Sequence, residues 1–295
     1  MFRRDYLKKP DWLRIKIPSG DGYKSIYKIL EDHNLSTVCK EARCPNIGEC
    51  WAKKSAAIMI LGKVCTRACR FCAVATGNPR GVVDRDEPGH VAEVVRALAL
   101  RYVVITSVDR DDLVDYGSRH YAQTIDRINQ SNPSTNVEAL IPDFRADAGC
   151  LLWIIDARPY VIGHNLETVA RLTPYVRDRR CGYAVSLDVL RKCKELNPKS
   201  ITKSGLMVGL GEQEQEILTA LHDLKHAGVD IVTIGQYLQP TRKHVPVQRY
   251  YTPDEFARLR KAGQTIGIRY VVSGPLVRSS YHAAEIFDQS PQSRS

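Results

Sequence analysis

Cys65-Thr66-Arg67-Ala68-Cys69-Arg70-Phe71-Cys72 carries three thiols in the spacing C-x3-C-x2-C, directly after a run of strand-forming residues. A loop at that point lets three thiolates gather round one small object. A cubane 4Fe–4S cluster has four iron corners, usually all filled by cysteine. Three neighbouring cysteines leave one corner open, as an open ligand position does at a catalytic metal. A zinc knuckle with a distant fourth ligand is the alternative, although zinc motifs pair their cysteines as C-x2–4-C and fit this triplet less well. Cys39, Cys44 and Cys50 form a second triplet, C-x4-C-x5-C, just upstream. Alone it is open to a zinc site or to buried thiols; beside the first triplet it reads as a second cluster. Cys150, Cys181 and Cys193 are widely spaced without a shared motif, and packing is their expected role.

The elements that must position these thiols alternate along the chain. Strand-like runs, rich in β-branched and apolar residues, occur at Ala57–Leu61, Tyr102–Thr106, Val137–Ile141, Tyr160–Gly163, Ser204–Val208 and Ile231–Gly235, with a later one at Arg269–Val272. Helical patterns fall between them at Val91–Leu100, Ser118–Asn129, Leu166–Val176 and Glu212–His226. Thr252-Pro253-Asp254-Glu255 has the form of a capping box with proline at the first helical position. Repeated strand–helix alternation implies parallel strands joined by right-handed crossovers. About six units predict an α/β fold with a partial (β/α)6 TIM-like barrel, and a doubly wound open sheet is the alternative. Gly205, Gly209 and Gly211 fit neither G-x-G-x-x-G nor the Walker pattern. They are read as allowing close backbone approach to a cofactor, or as an ordinary turn.

Composition narrows the class. The 295 residues are 43% hydrophobic and 26% charged, ordinary fractions for a globular chain. No apolar run approaches the roughly 18 residues of a membrane span. Met1–Pro10 is basic without an apolar core, so no signal peptide is expected, and Asp5 and Asp11 argue against a transit peptide. The expected location is therefore cytoplasmic, with no membrane partner. Nine cysteines, an odd number without a secretion signal, favour metal ligation over a disulfide framework. The formal charge of +10 suits an acidic partner, but the basic residues form no tail of the kind that grips nucleic acid.

The first triplet, with Phe71 before its last cysteine, resembles the radical S-adenosylmethionine signature. The stretch from Thr37 through Cys39, Cys44 and Cys50 to Trp51 resembles the auxiliary-cluster motif of the lipoyl synthase family. The likeness continues through Thr106–Leu113, His164–Val169, Lys203–Glu212, Gln236–Thr241 and Gly274–Ala283, so it spans about Asp11 to Ala283. Ala73, Tyr116 and Ala57 stand where the family usually has aspartate, glycine and threonine, and Cys181 falls in a variable stretch; no cluster ligand is lost.

The resemblance implies two 4Fe–4S clusters and S-adenosylmethionine. Cys65, Cys69 and Cys72 would hold the reducing cluster, whose open iron chelates the cofactor. Cys39, Cys44 and Cys50 would hold an auxiliary cluster that donates sulfur, with Ser280 as its fourth ligand and Ser279 as the fallback. Phe71, Ser107, Asp109, Asn165 and Glu167 are candidates to line the cofactor; for Ser107 and Asp109 helix capping is the competing role. The chain would divide into an N-terminal extension over 1–55, a partial barrel over 56–267 and a C-terminal extension over 268–295 with the Arg-Ser-Ser-Tyr motif. The implied reaction inserts two sulfur atoms, at carbons six and eight of an octanoyl chain on a carrier-protein lysine. Partners would be octanoylated E2 domains and the glycine-cleavage H protein, with ferredoxin or flavodoxin as electron donor. A tRNA methylthiotransferase or a biotin-synthase-like enzyme is disfavoured by the Cys39 triplet and by Arg278-Ser279-Ser280-Tyr281. A small electron carrier would fill all four corners of its cluster with cysteine.

Overall fold

In the computed structural model, residues 7–13, 36–37 and 55–280 are described. The strands are β1 (Ser36–Thr37), β2 (Ser55–Ile60), the short β3 (Val64–Cys65) and β4 (Ala75–Thr76), β5 (Tyr102–Ser107), β6 (Asn136–Leu140), β7 (Val161–Gly163), β8 (Thr202–Val208), β9 (Ile231–Gln236) and β10 (Tyr270–Gly274). The helices are α1 (Glu87–Ala97), α2 (Ser118–Ser131), α3 (Ala148–Asp156), the single turn α4 (Thr173–Val176), α5 (Tyr183–Leu196), α6 (Glu214–His226) and α7 (Pro253–Ile266). Strands β2, β5, β6, β7, β8, β9 and β10 lie side by side in chain order, all parallel, with β1 antiparallel on the β2 edge and β3 paired to β4 apart from the sheet.

That monotonic order decides between the two expected architectures. A doubly wound sheet reverses its strand order at a switch point. Here every right-handed crossover steps the same way, which puts the helices on one face and curls the sheet into a barrel wall. The edges β1 and β10 do not pair among the described residues, so the barrel stays partial. The run near Arg269 is its seventh parallel strand, in register from Tyr270 against Ile231 to Gly274 against Gly235.

Local sequence explains the helices that the pattern reached and those it did not. Thr252 and Glu255 form the reciprocal capping box: Thr252 N–H donates to Glu255 Oε2 at 2.8 Å, and Glu255 N–H donates to Thr252 Oγ1 at 3.3 Å. Helix α3, Ala-Gly-Cys-Leu-Leu-Trp-Ile-Ile-Asp, is apolar nearly throughout and shows no stripe. Helix α5 buries Ser186, Val189, Leu190 and Cys193 at helical spacing, but a serine and a cysteine end the stripe and hide it. The segment Leu166–Val176 is helical only over Thr173–Val176. Leu166, Val169 and Leu172 are buried at helix-like intervals, yet Glu167 has a left-handed φ of 68° and bridges to β8. Its N–H donates to Gly205 O, and Met207 N–H donates to Glu167 O, both at 2.9 Å.

Inside the wall, β6 and β8 oppose one another through a fully buried ion pair. Lys203 Nζ donates to Glu138 Oε1 at 2.9 Å and Oε2 at 2.8 Å, and the Tyr102 hydroxyl donates to Glu138 Oε2 at 2.7 Å. Burial, followed by the Glu138 charge, holds the Tyr102 phenol well above its ordinary pKa. Lys203→Met therefore strands a buried carboxylate and should cost ~3–5 kcal/mol. Adding Glu138→Gln should return most of that, because no uncompensated charge remains and Tyr102 keeps an acceptor. Denaturant unfolding of the two variants measures the difference.

Candidate active site

A cavity of about 520 Å³ opens at the carboxyl ends of the parallel strands, the face on which barrel enzymes carry their sites. Cys65, Cys69 and Cys72, on the loop after β2, all line it. So do Phe71, Ser107, Asp109, Asn165 and Glu167, so the structure gathers every one of these candidate contacts at one place. Val277, Arg278 and Ser279 reach the same cavity from beyond β10, because the chain turns at Gly274, where Val277 N–H donates to Gly274 O at 3.1 Å. The turn lies against β9 so closely that a Cβ on Gly235 would sit 2.1 Å from Val277 O. Ser279 belongs to the lining; Ser280, half-buried, does not. Cys39, Cys44 and Cys50 lie outside the described residues.

The cluster loop is held by buried charge. Arg67, 4% exposed, makes two forked pairs: Nε and Nη2 donate to Asp111 at 2.9 and 3.0 Å, and Nη1 and Nη2 donate to Asp143 at 2.5 and 2.8 Å. Asp109 Oδ1 is 3.3 Å from Nη1. Burial opposes ionisation of Asp111 and Asp143, but the Arg67 hydrogen bonds outweigh it and hold both carboxyls below their usual range. Asp109 differs: burial and its acidic neighbours push it up to about 6 against the pull of Arg67. Amides complete the anchorage. Thr66 N–H donates to Asp109 O at 3.0 Å, Ala68 N–H to Asp178 Oδ2 at 2.9 Å, and Arg70 N–H to Val176 O at 2.9 Å.

The thiols ring the cavity. A single zinc ion needs its sulfurs within about 2.3 Å of one point, and no three His, Cys, Asp or Glu side chains converge in that way among the described residues. Burial, then the Asp109 charge, pushes Cys65 up to about 12, and burial raises Cys72. Among the described residues, two buried polar atoms of the lining have no hydrogen-bond partner: Ser107 Oγ and Arg177 Nε. Native interiors leave few such orphans, and a polar cofactor in the cavity would satisfy them. A Cβ on Gly205 would stand 2.8 Å from Asn165 Oδ1, so the wall there admits only glycine without a shift. The other two glycines serve the loop itself. Glu212 accepts from Gly209 N–H at 2.6 Å and Leu210 N–H at 2.9 Å, and neither Gly209 nor Gly211 lines the cavity.

Several lining residues escaped the sequence reading. Arg67 sits between two cluster cysteines, and only its position within the loop hinted at a role. Arg177 follows the α4 turn without a motif; its Nη1 donates to Ser186 Oγ at 2.8 Å. Lys9 lines the cavity too, far from it in sequence. Cys181, expected to serve packing alone, is buried at the cavity wall with its sulfur 3.9 Å from that of Cys69, while Cys150 and Cys193 are buried in α3 and α5. The Cys69–Cys181 hydrogen bond raises Cys69 and lowers Cys181 to about 7. Tyr116, where the resemblance expected glycine, has a φ of 53°, the left-handed region that favours glycine.

Residues 59–224 match the family model of the radical SAM superfamily, and residues 2–44 match that of the N-terminal domain of lipoyl synthase. A lipoyl synthase from Halorhodospira halophila is 56% identical over 281 residues, which cover 95% of this chain and 84% of that protein. One from Thermus thermophilus is 52% identical, covering 96% and 88%. The chain belongs to the lipoyl synthase family of radical S-adenosylmethionine enzymes. Solved structures agree on the fold alone. Methylornithine synthase superposes with a TM-score of 0.54 at 11% identity, covering 88% of this chain and 86% of its own. Streptococcus suis SuiB with its precursor peptide superposes with a TM-score of 0.58 at 10% identity, covering 85% and 52%. As a lipoyl synthase the chain uses S-adenosylmethionine and 4Fe–4S clusters, and the orphaned Ser107 and Arg177 atoms fit such an occupant.

At the cavity wall His164 is kept neutral. Its Nδ1 meets Ile141 O and its Nε2 meets Ser186 Oγ, both at 2.9 Å. Burial, then the Arg177 charge, depresses it from 6.5 to about 4. Between those values the unfolded chain binds the proton and the folded chain does not. Stability from this group is therefore full above about pH 6.5 and falls as the pH drops towards 4, by about 3 kcal/mol at ~1.4 kcal/mol per unit. Asp109, raised to about 6, contributes in the opposite sense over part of that range, so the difference between proteins is what isolates His164: in denaturant unfolding of the cluster-free chain, wild type should lose about 3 kcal/mol more than His164→Asn between pH 7 and pH 4.

Proposed function

We propose that Cys65, Cys69 and Cys72 hold the reducing 4Fe–4S cluster, and that Cys39, Cys44 and Cys50 hold the sulfur-donating one with Ser280 as its oxygen ligand. The reaction of the family is insertion of two sulfur atoms at carbons six and eight of a protein-bound octanoyl-lysine. The observation that carries the reading is the meeting of three cluster-spaced thiols and two partnerless buried polar atoms in one cavity at the strand ends. When bound, these groups supply one-electron cleavage of a sulfonium, the hydrogen abstraction that follows it, and sulfur.

The chain's own residues do the rest. Ser107 and Arg177 offer polar contacts to the cofactor, and Asp109, Asn165 and Glu167 stand beside them. Asn165 Nδ2 already donates to Glu167 Oε1 at 3.1 Å, which orients that carboxyl. Phe71, Met59, Leu140 and Leu206 give the cavity apolar walls that exclude water and suit an alkyl chain. An oxygen ligand on the second cluster binds its iron less firmly than thiolate, which suits a cluster that must release sulfur.

The family acts on lipoyl-carrier proteins. We propose octanoylated E2 domains and the glycine-cleavage H protein as carriers, matched to the charge of +10 if their surfaces are acidic. Ferredoxin or flavodoxin would be the electron donor and the cytoplasm the location; no helix of the described residues is long and apolar enough to cross a membrane. We propose an N-terminal extension over 1–55, a barrel over 56–267 and a C-terminal extension over 268–295, the last opening with β10, which adds the seventh parallel strand to the barrel wall.

Reconstituted wild type should hold about eight irons, one four-iron cubane for each triplet. Alanine at Cys65, Cys69 and Cys72 should leave about half and abolish S-adenosylmethionine cleavage. Alanine at Cys39, Cys44 and Cys50 should also leave about half, but with cleavage intact and no sulfur transferred. Ser280→Ala should keep cleavage and lose most sulfur insertion into an octanoyl-lysyl peptide, whereas Ser279→Ala should keep both. Iron and sulfide counts with product mass spectrometry check each, and full iron in either triple variant refutes the ligand assignment.

A further inference from the structure

Cys181 belongs to neither cysteine triplet, yet its sulfur lies 3.9 Å from that of the cluster cysteine Cys69, and both line the cavity. A disulfide needs about 2.05 Å between sulfurs, so less than 2 Å of approach separates the pair from a bond. The loops that carry them are tied together. Asp178 N–H donates to Cys69 Sγ at 3.3 Å, Ala68 N–H to Asp178 Oδ2 at 2.9 Å, and Arg180 Nη2 to Thr66 O at 2.6 Å. Cys181 N–H donates to Asp178 O at 2.8 Å, which closes the turn that brings its thiol round. Arg67 Nη1 donates to Cys181 Sγ at 3.4 Å and holds the sulfur on the Cys69 side. Two thiols held this way form a bond at small entropic cost, because the loops are already ordered.

We propose that Cys69 and Cys181 form a redox-modification site that takes a low-molecular-weight disulfide, and that their bond blocks loading of the cluster. The Cys181 thiolate attacks the small disulfide and expels one of its halves as a thiol. The Cys69 thiolate then attacks Cys181 Sγ and expels the second half. Two protein thiols lose two electrons and two protons; the small disulfide gains them and becomes two thiols. One cluster ligand is thereby consumed, so the empty site cannot nucleate a cluster until a dithiol reduces it. Once iron occupies Cys69 the thiolate is engaged and the exchange stops. The consequence for loading rests on the proposed role of Cys65, Cys69 and Cys72, whereas the bond itself does not.

The test uses the full chain stripped of iron, treated anaerobically with oxidised glutathione, alkylated and mapped by mass spectrometry. The expected result is a Cys69–Cys181 peptide pair as the main new linkage, reversed by dithiothreitol. Before treatment, wild type and Cys181→Ser should take up equal iron. After it, wild type should fail to cleave S-adenosylmethionine on reconstitution until reduced, and Cys181→Ser should keep most of its cleavage. A main linkage from Cys69 to Cys65 or Cys72, or an unlinked Cys181, overturns the site. Equal loss of cleavage in both proteins overturns the block. Failure of the ligand reading would appear instead as unchanged iron in the Cys65, Cys69 and Cys72 triple variant.

Discussion

The site depends on one buried guanidinium. Arg67 lies inside the cluster loop and forks onto Asp111, after β5, and onto Asp143, after β6. A planar group with two bidentate partners fixes position and orientation together, which a lysine could not do. Three loops from neighbouring strands are thereby locked at one height above the barrel. Asp109, whose Oδ1 is 3.3 Å from Arg67 Nη1, is the carboxylate that burial pushes up to about 6 despite that charge. Burying such a hub costs desolvation, and it persists because every polar edge is met.

The barrel beneath supplies rigidity. The Glu138–Lys203 pair and the Tyr102 hydroxyl fill the interior between β6 and β8, and seven parallel strands in chain order leave their carboxyl ends as one continuous rim. Loops after β2, β5, β6, β7 and β9 reach the cavity from that rim, and β8 lines it with its own residues. The C-terminal segment closes over it because Gly235 lets Val277 lie directly on β9. This contact carries Arg278 and Ser279 to the cavity although they lie more than two hundred residues beyond the cluster loop.

Much of this was legible in the sequence, for identifiable reasons. Strands such as β5 and β9 are short apolar runs bounded by polar turns, and their residues are buried almost throughout. Cys65, Cys69 and Cys72 stand out because three cysteines at a cluster-like spacing share one loop, and Ser107, Asp109, Asn165 and Glu167 because they follow strand ends; all of them line the one cavity. What was hidden depends on contacts between distant segments. Nothing local distinguishes Arg67 or Arg177 from a surface arginine, or Cys181 from a packing thiol. The stretch Leu166–Val176 shows a helix-like period because its leucines and valine reach a common core, while Glu167 bridges to β8.

Arg67 orders the loop over 65–72 independently of any bound group, and hydrogen exchange in the cluster-free chain reads that order amide by amide. In Arg67→Lys, which keeps the charge but loses the forks, the amides of Thr66, Ala68 and Arg70 should exchange about tenfold faster or more, a change of ~1.4 kcal/mol in local opening. The amides of α6 and α7 should be unchanged. Equal protection of Thr66, Ala68 and Arg70 in the two proteins would mean that the loop is ordered without the Arg67 forks.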